Sequence, residues 1–205
     1  MAEVKLLNKS LVNGFYALIE PLARILINLK VNPYIITFLG LFFSVFVFYF
    51  FRSGLFLPGG IFIILSGICD VLDGRLARDT NQMSKFGALI DSVIDRYSEI
   101  LFFLGLLVYF WEKSLTIVIL LFLGICGSLL VSYTRARAEG LGLECKVGIM
   151  QRQERITFLA GGAIFGAIPY TSHFFLILSI WIIAVLSNFT VIQRILHIKH
   201  QDKSL

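Results

Sequence analysis

Four aspartates sit where a chain this apolar should tolerate none. Asp70 and Asp73 close one long apolar run, and Asp91 and Asp95 open the next. On helices the first pair is spaced i,i+3 and the second i,i+4, so each pair shares one face. Ionisable side chains inside a membrane helix are costly and point to a function. Carboxylates gathered in one site repel one another unless a cation compensates them. Their hard oxygens suit Mg²⁺ or Mn²⁺, and no His or Cys stands with them to suggest zinc. Two ions with bridging carboxylates would suit chemistry at phosphorus, because paired metals clamp both sides of the displacement.

The plainer reading is a set of Asp–Arg pairs using Arg75, Arg78 and Arg96 to pin helices together. It leaves the adjoining glycines unexplained. Gly74 makes room for a ligand or phosphate beside Asp73. Gly87 lets the following helix pack closely at its start. Either glycine can also serve simple helix packing.

The elements that position these residues follow from composition. Of 205 residues, 58% are hydrophobic, 14% aromatic and 15% charged, against about a quarter charged in soluble domains. That excludes an ordinary soluble domain, and the aromatic and aliphatic content excludes a disordered chain. Apolar runs of roughly 20 residues, the length of a transmembrane helix, lie at 34–52, 58–78, 87–110, 114–137, 152–169 and 173–195. They are continuous rather than alternating, unlike barrel strands. The expectation is an all-α polytopic membrane protein, a single domain over 1–205 with a six-helix transmembrane bundle over 34–195. Residues 1–30 mix Leu, Ile and Phe with Lys5, Lys9, Glu20, Arg24 and Lys30, the composition of an interfacial amphipathic helix. No cleaved signal pattern is read there. Asn32-Pro33 breaks the chain before the first run.

Six spans return the C-terminus to the side of the N-terminus. Lys and Arg concentrate in the N-terminal segment, around 75–86 and 135–155, and at the C-terminus, with Arg52 and Lys113 on the opposite side. The positive-inside rule then places both termini in the cytoplasm of a plasma-membrane protein. The four carboxylates fall at similar depth in the cytoplasmic part of the membrane. The net charge of +5 reads as cytoplasmic loops and anionic lipid rather than nucleic acid. Cys69, Cys126 and Cys145 have no metal-type spacing and read as packing residues. No internal repeat of the transporter kind is visible.

The pattern Asp70-x2-Asp73-Gly74-x2-Ala77-Arg78-x8-Gly87-x3-Asp91-x3-Asp95 resembles, at every position, the signature of the CDP-alcohol phosphotransferases. The predicted layout of an amphipathic helix and six spans is similar to that family across nearly the whole chain. The resemblance implies transfer of a phosphatidyl group from CDP-diacylglycerol to an alcohol, release of CMP, and a homodimer. It implies that Asp70, Asp73 and Asp91 bind the metals, with Asp95 completing the site and acting as catalytic base. Asp73, Gly74, Ala77 and Arg78 would bind the CDP group.

The acceptor is read from the second half. Ser132-Tyr133-Thr134-Arg135-Ala136-Arg137-Ala138-Glu139 closes the fourth run, Gln151-Arg152-Gln153-Glu154-Arg155 opens the fifth, and Arg194 lies near the end of the sixth. Guanidinium groups bind phosphate through paired hydrogen bonds, so these clusters suit a phosphorylated polyol. Any one of them can also be an ordinary cytoplasmic loop charge, and Arg135 can pair with Glu139 along its helix. The two stretches resemble those of bacterial phosphatidylinositol-phosphate synthases, a branch of the same family. That resemblance implies that Arg135, Arg152, Arg155 and Arg194 hold inositol 1-phosphate. Glycerol 3-phosphate is the alternative acceptor. From another class, a divalent-cation transporter would also gather carboxylates, although at mid-membrane and without need of Gly74 and Arg78. Lys85 is either a donor-phosphate contact or a loop charge, and Glu99 pairs with Arg96 or with a dimer neighbour.

Overall fold

The structure, a computed structural model, describes residues 9–168 and 173–202. Residues 1–8 of the expected amphipathic segment, and residue 169 at the end of the fifth run, lie outside them. The described residues form seven helices and no strand: α1 (Lys9–Asn28), α2 (Pro33–Arg52), α3 (Phe56–Asp79), α4 (Lys85–Phe110), α5 (Leu115–Gly140), α6 (Arg152–Gly166) and α7 (Phe174–Asp202). Two compact units divide between Val108 and Tyr109, in the last turn of α4.

Four helices, α2, α3, α5 and α7, are long and apolar enough to cross a membrane. The two other expected spans differ for separate reasons. α4 has the length, but Asp91, Asp95, Arg96 and Glu99 fall within its first four turns. α6 has 15 residues, roughly 22 Å at 1.5 Å per residue, short of the roughly 30 Å hydrocarbon core.

In the first unit α2 and α3 pack along their length. Asn32 caps α2 by accepting the Tyr34 N–H at 3.0 Å, with Pro33 preset for the first turn. Gly54, at φ 75°, closes the α2–α3 turn. The absence of a side chain at Gly40 brings α2 onto α3, where a Cβ would lie 3.2 Å from Cys69 Cβ. Ser66 Oγ crosses to the Gly40 carbonyl at 3.0 Å, and the Ser44 and Ser66 hydroxyls meet at 3.1 Å. Small residues and short polar bridges of this kind are what hold helices together within lipid.

α1 supplies a second support for α3. Its Ala23 is buried with Ile36, Cys69, Leu72 and Leu76, behind the turn that carries Asp73 and Gly74. Glu20 on α1 pairs with Arg75, which also reaches Asp79 at 3.3 Å. Leu18, Leu22 and Ile25 form an exposed apolar stripe along the rest of α1, continued by Leu29 just past its end.

In the second unit α5 and α7 share a seam closed by Asn188, whose amide donates to the carbonyls of Leu123 at 3.0 Å and Ala184 at 2.8 Å. Gly127 leaves the space that Asn188 and Ser187 occupy. α6 packs on α7 where Gly162 faces Ser179 and Gly166 faces Leu176.

Candidate active site

The two acidic helices converge as the spacing requires. Asp70 on α3 and Asp91 and Asp95 on α4 each place one ligand-capable carboxylate oxygen within 4.8 Å of the others. All three are half-buried. Asp73 stands apart from this group. It is 4% exposed, and its Oδ2 is buried without a hydrogen-bond partner. It remains within electrostatic reach of Asp91 and Asp70, and the Thr37 hydroxyl of α2 lies beside it. The chemistry of this set fits a divalent cation. Three hard oxygens already converge, their mutual repulsion calls for positive charge, and a buried carboxylate oxygen next to them lacks a partner.

Of the arginines on the same helices, Arg96 is ion-paired with Asp95, so the plainer reading holds for one pair. Arg75 is engaged by Glu20 and Asp79. Arg96 donates to the Ser92 carbonyl at 2.7 Å and reaches Asp95 Oδ2 at 3.5 Å. Arg78 is exposed. A Cβ on Gly74 would meet only its guanidinium, at 3.6 Å, so Gly74 is not required by packing against a neighbouring helix. Ala77 is half-buried and Lys85 exposed. Glu99, one turn beyond Asp95, is buried.

Gly87 is different. Ser84 caps α4 by accepting the Gly87 N–H at 2.9 Å. Its hydroxyl also meets Tyr34 Oη of α2 at 3.3 Å. A Cβ on Gly87 would fall 3.0 Å from Ser84 Oγ and 3.2 Å from Tyr34 Oη. Tyr34 and Thr37 were not legible as site residues. The faint signal was their i,i+3 spacing immediately after a helix cap.

The second unit gathers part of the cationic set. Arg194 is 3% exposed and donates to the carbonyls of Val147, at 2.9 Å through Nε, and of Val131. Arg155 is 1% exposed and donates to the Met150 carbonyl at 3.1 Å. Thr190 accepts the Met150 N–H at 3.0 Å, so α7 and α6 together fix the loop between α5 and α6. Gly148 in that loop takes φ 138°, with Thr190 where a side chain would stand. Arg135 and Arg155 both lie within electrostatic reach of Arg194. Arg135 is exposed and pairs with Glu139 at 2.9 Å, and Arg152 begins α6 half-buried. Burial pushes the Cys145 thiol up, with Arg194 and Arg135 opposing it; as expected from the sequence, this is a packing cysteine.

Residues 30–197 carry the pattern of the CDP-alcohol phosphatidyltransferase family, and the chain belongs to that family. With its four long apolar helices, it is a multi-pass membrane protein. It is similar to the archaetidylinositol phosphate synthase of Methanothermobacter thermautotrophicus, with 38% identity over 149 residues, 72% of this chain and 73% of the relative. The fold is similar to that of Mycobacterium tuberculosis phosphatidylinositol phosphate synthase solved with CDP-diacylglycerol bound. There the TM-score is 0.79 and the identity 31%, covering 87% of this chain and 92% of that one. The same enzyme in complex with manganese and citrate gives a TM-score of 0.78 at 31% identity, covering 87% of each chain.

Proposed function

We propose that the protein transfers a phosphatidyl group from CDP-diacylglycerol to the hydroxyl of inositol 1-phosphate, forming phosphatidylinositol phosphate and CMP. The observation that carries this reading is the convergence of Asp70, Asp91 and Asp95 within 4.8 Å in a chain of this family. The manganese and CDP-diacylglycerol bound by the mycobacterial enzyme support it.

Asp70, Asp73, Asp91 and Asp95 hold two divalent ions, Mg²⁺ or Mn²⁺. When bound, such ions neutralise the donor pyrophosphate and the leaving CMP. Gly74 lets the CDP group approach the α3 backbone, and Ala77 and Arg78 line it. Asp95 accepts the proton of the acceptor hydroxyl. That oxygen forms a bond to the lipid-bearing phosphorus as the bond to CMP breaks. Arg135, Arg152, Arg155 and Arg194 bind the acceptor phosphate, a reading supported by the clustering of three of them by charge. Positioning and charge then account for most of the rate.

The membrane arrangement belongs to the same reading: one domain over 1–205 with six crossings, α4 and α6 included, and both termini and the site cytoplasmic. The protein works as a homodimer in the plasma membrane. The basic segments around 75–86 and 135–155 support this orientation.

The test is CMP release by purified protein given CDP-diacylglycerol and Mg²⁺ or Mn²⁺, with inositol 1-phosphate, glycerol 3-phosphate, serine and free inositol compared side by side. Release with inositol 1-phosphate alone is expected. Release with glycerol 3-phosphate instead would move the acceptor and keep the reaction class. No release with any acceptor would overturn the reading.

A further inference from the structure

α2 contributes no acid to the carboxylate cluster, yet its first turns touch both helices that do. Tyr34 and Thr37 are spaced i,i+3 and share a face. Tyr34 Oη meets Ser84 Oγ, the cap of α4, at 3.3 Å. Thr37 is buried, donates to the Pro33 carbonyl at 3.2 Å and lies beside Asp73 of α3. At Gly87 a Cβ would crowd the Ser84 and Tyr34 hydroxyls, so the missing side chain is what lets the two meet there. Asp91 follows Gly87 by four residues and Asp95 by eight, so all three lie along one side of α4. The same side reaches α2 again at Gly105, where a Cβ would lie 2.9 Å from the Phe48 carbonyl oxygen.

From this we infer that Tyr34 is a positioning residue for the metal site. Through the Ser84 hydroxyl it fixes the rotation and height of the first turns of α4 against α2. It thereby holds Asp91 and Asp95 at their distance from Asp70 on α3, which α2 also carries. Tyr34 acts without touching the metal. Loss of its hydroxyl loosens the spacing of the three carboxylates, and loosened ligands bind metal more weakly. The inference rests on the proposed metal-holding role of the cluster.

The test is Mn²⁺ binding by the purified full chain without substrates, followed by electron paramagnetic resonance, with melting temperature measured in parallel. For Tyr34→Phe the expected result is an Mn²⁺ dissociation constant raised by about three- to tenfold, the loss of one modest hydrogen bond. The melting temperature should be nearly unchanged. In CMP release, the metal concentration for half-maximal rate should rise by the same factor, with kcat restored at saturating metal. Ser84→Ala should produce a similar shift, and the double variant no more than Ser84→Ala alone. An unchanged Mn²⁺ affinity in Tyr34→Phe would overturn the inference, as would additive effects in the double variant. A raised KM for CDP-diacylglycerol at unchanged metal affinity would also overturn it and make Tyr34 a donor contact. Should Tyr34→Phe fail to fold, Ser84→Ala alone decides by the same titration. Absence of Mn²⁺ binding in the unaltered protein would instead defeat the metal reading itself.

Discussion

Arg194 Nε donates to the Val147 carbonyl at 2.9 Å, tying the end of α7 to the loop that leads into α6. A guanidinium this buried is costly unless its donors are used, and here they hold backbone carbonyls. Arg194→Ala is expected to destabilise the protein by about 2–4 kcal/mol, measured as a lowered unfolding midpoint in detergent. Because Arg194 is also proposed to bind the acceptor phosphate, its acceptor KM should rise as well; an unchanged midpoint would contradict the clamp.

Glu20 makes the docking of α1 pH-dependent. Arg75 first, and Arg24 after it, hold the Glu20 carboxyl below the usual carboxylate range. Since the folded-state value is depressed, the pair contributes stability above the unfolded-chain value and loses it as pH falls through the folded one. The contribution is therefore intact at neutral pH and disappears in acid, below about pH 4. Glu20→Gln should melt lower than the unaltered protein at pH 7, with the difference closing in acid. A difference that is the same at both ends of that range would contradict the pairing.

The carboxylates should separate by role. Asp95→Asn is expected to lose turnover by about a hundredfold or more, the scale of general-base catalysis, while CDP-diacylglycerol still binds. Near-normal turnover would remove Asp95 as the base. Asp70→Asn should raise the metal concentration needed for activity, and an unchanged metal titration would take it off the ligand list.

Two glycines should respond in opposite ways. At Gly105 an added Cβ lies 2.9 Å from the Phe48 carbonyl oxygen and from Phe51 Cβ, so Gly105→Ala should cost about 1–3 kcal/mol of stability. At Gly74 the added methyl meets only the mobile end of Arg78. Gly74→Ala should melt as the unaltered protein does and bind CDP-diacylglycerol more weakly. Equal melting losses in both would mean that Gly74 serves packing.

The acidic tetrad was legible because carboxylates on apolar helices have few uses, and Asn32-Pro33 marked the entry of α2. Which acids converge was not legible. The i,i+3 spacing puts Asp70 and Asp73 on one face but does not say that Asp73 turns inward toward Thr37, since this depends on how α2 crosses α3. Gly40 sets that crossing, and its role shows only against Cys69 and Ser66. The apolar run at 152–169 suggested a full-length helix, whereas α6 ends at Gly166. Hydropathy measures composition, and Gly161, Gly162 and Gly166 supply no helix preference to extend it. Arg155 and Arg194 were read as acceptor-phosphate ligands, with nothing in the sequence to say that they are also buried. Burial and their carbonyl partners became visible only when α6 and α7 closed on the loop between them.

The most direct test follows the acceptor's own phosphate. Inositol 1-phosphate radiolabelled in its phosphate is incubated with CDP-diacylglycerol, Mg²⁺ and the purified protein, and the organic and aqueous phases are separated. Label is expected to enter the lipid phase in equimolar amount with CMP released, with neither product formed by Asp95→Asn. Stoichiometric CMP release with all the label left in water would contradict the proposed transfer, because the donor would then be transferred to something other than inositol 1-phosphate.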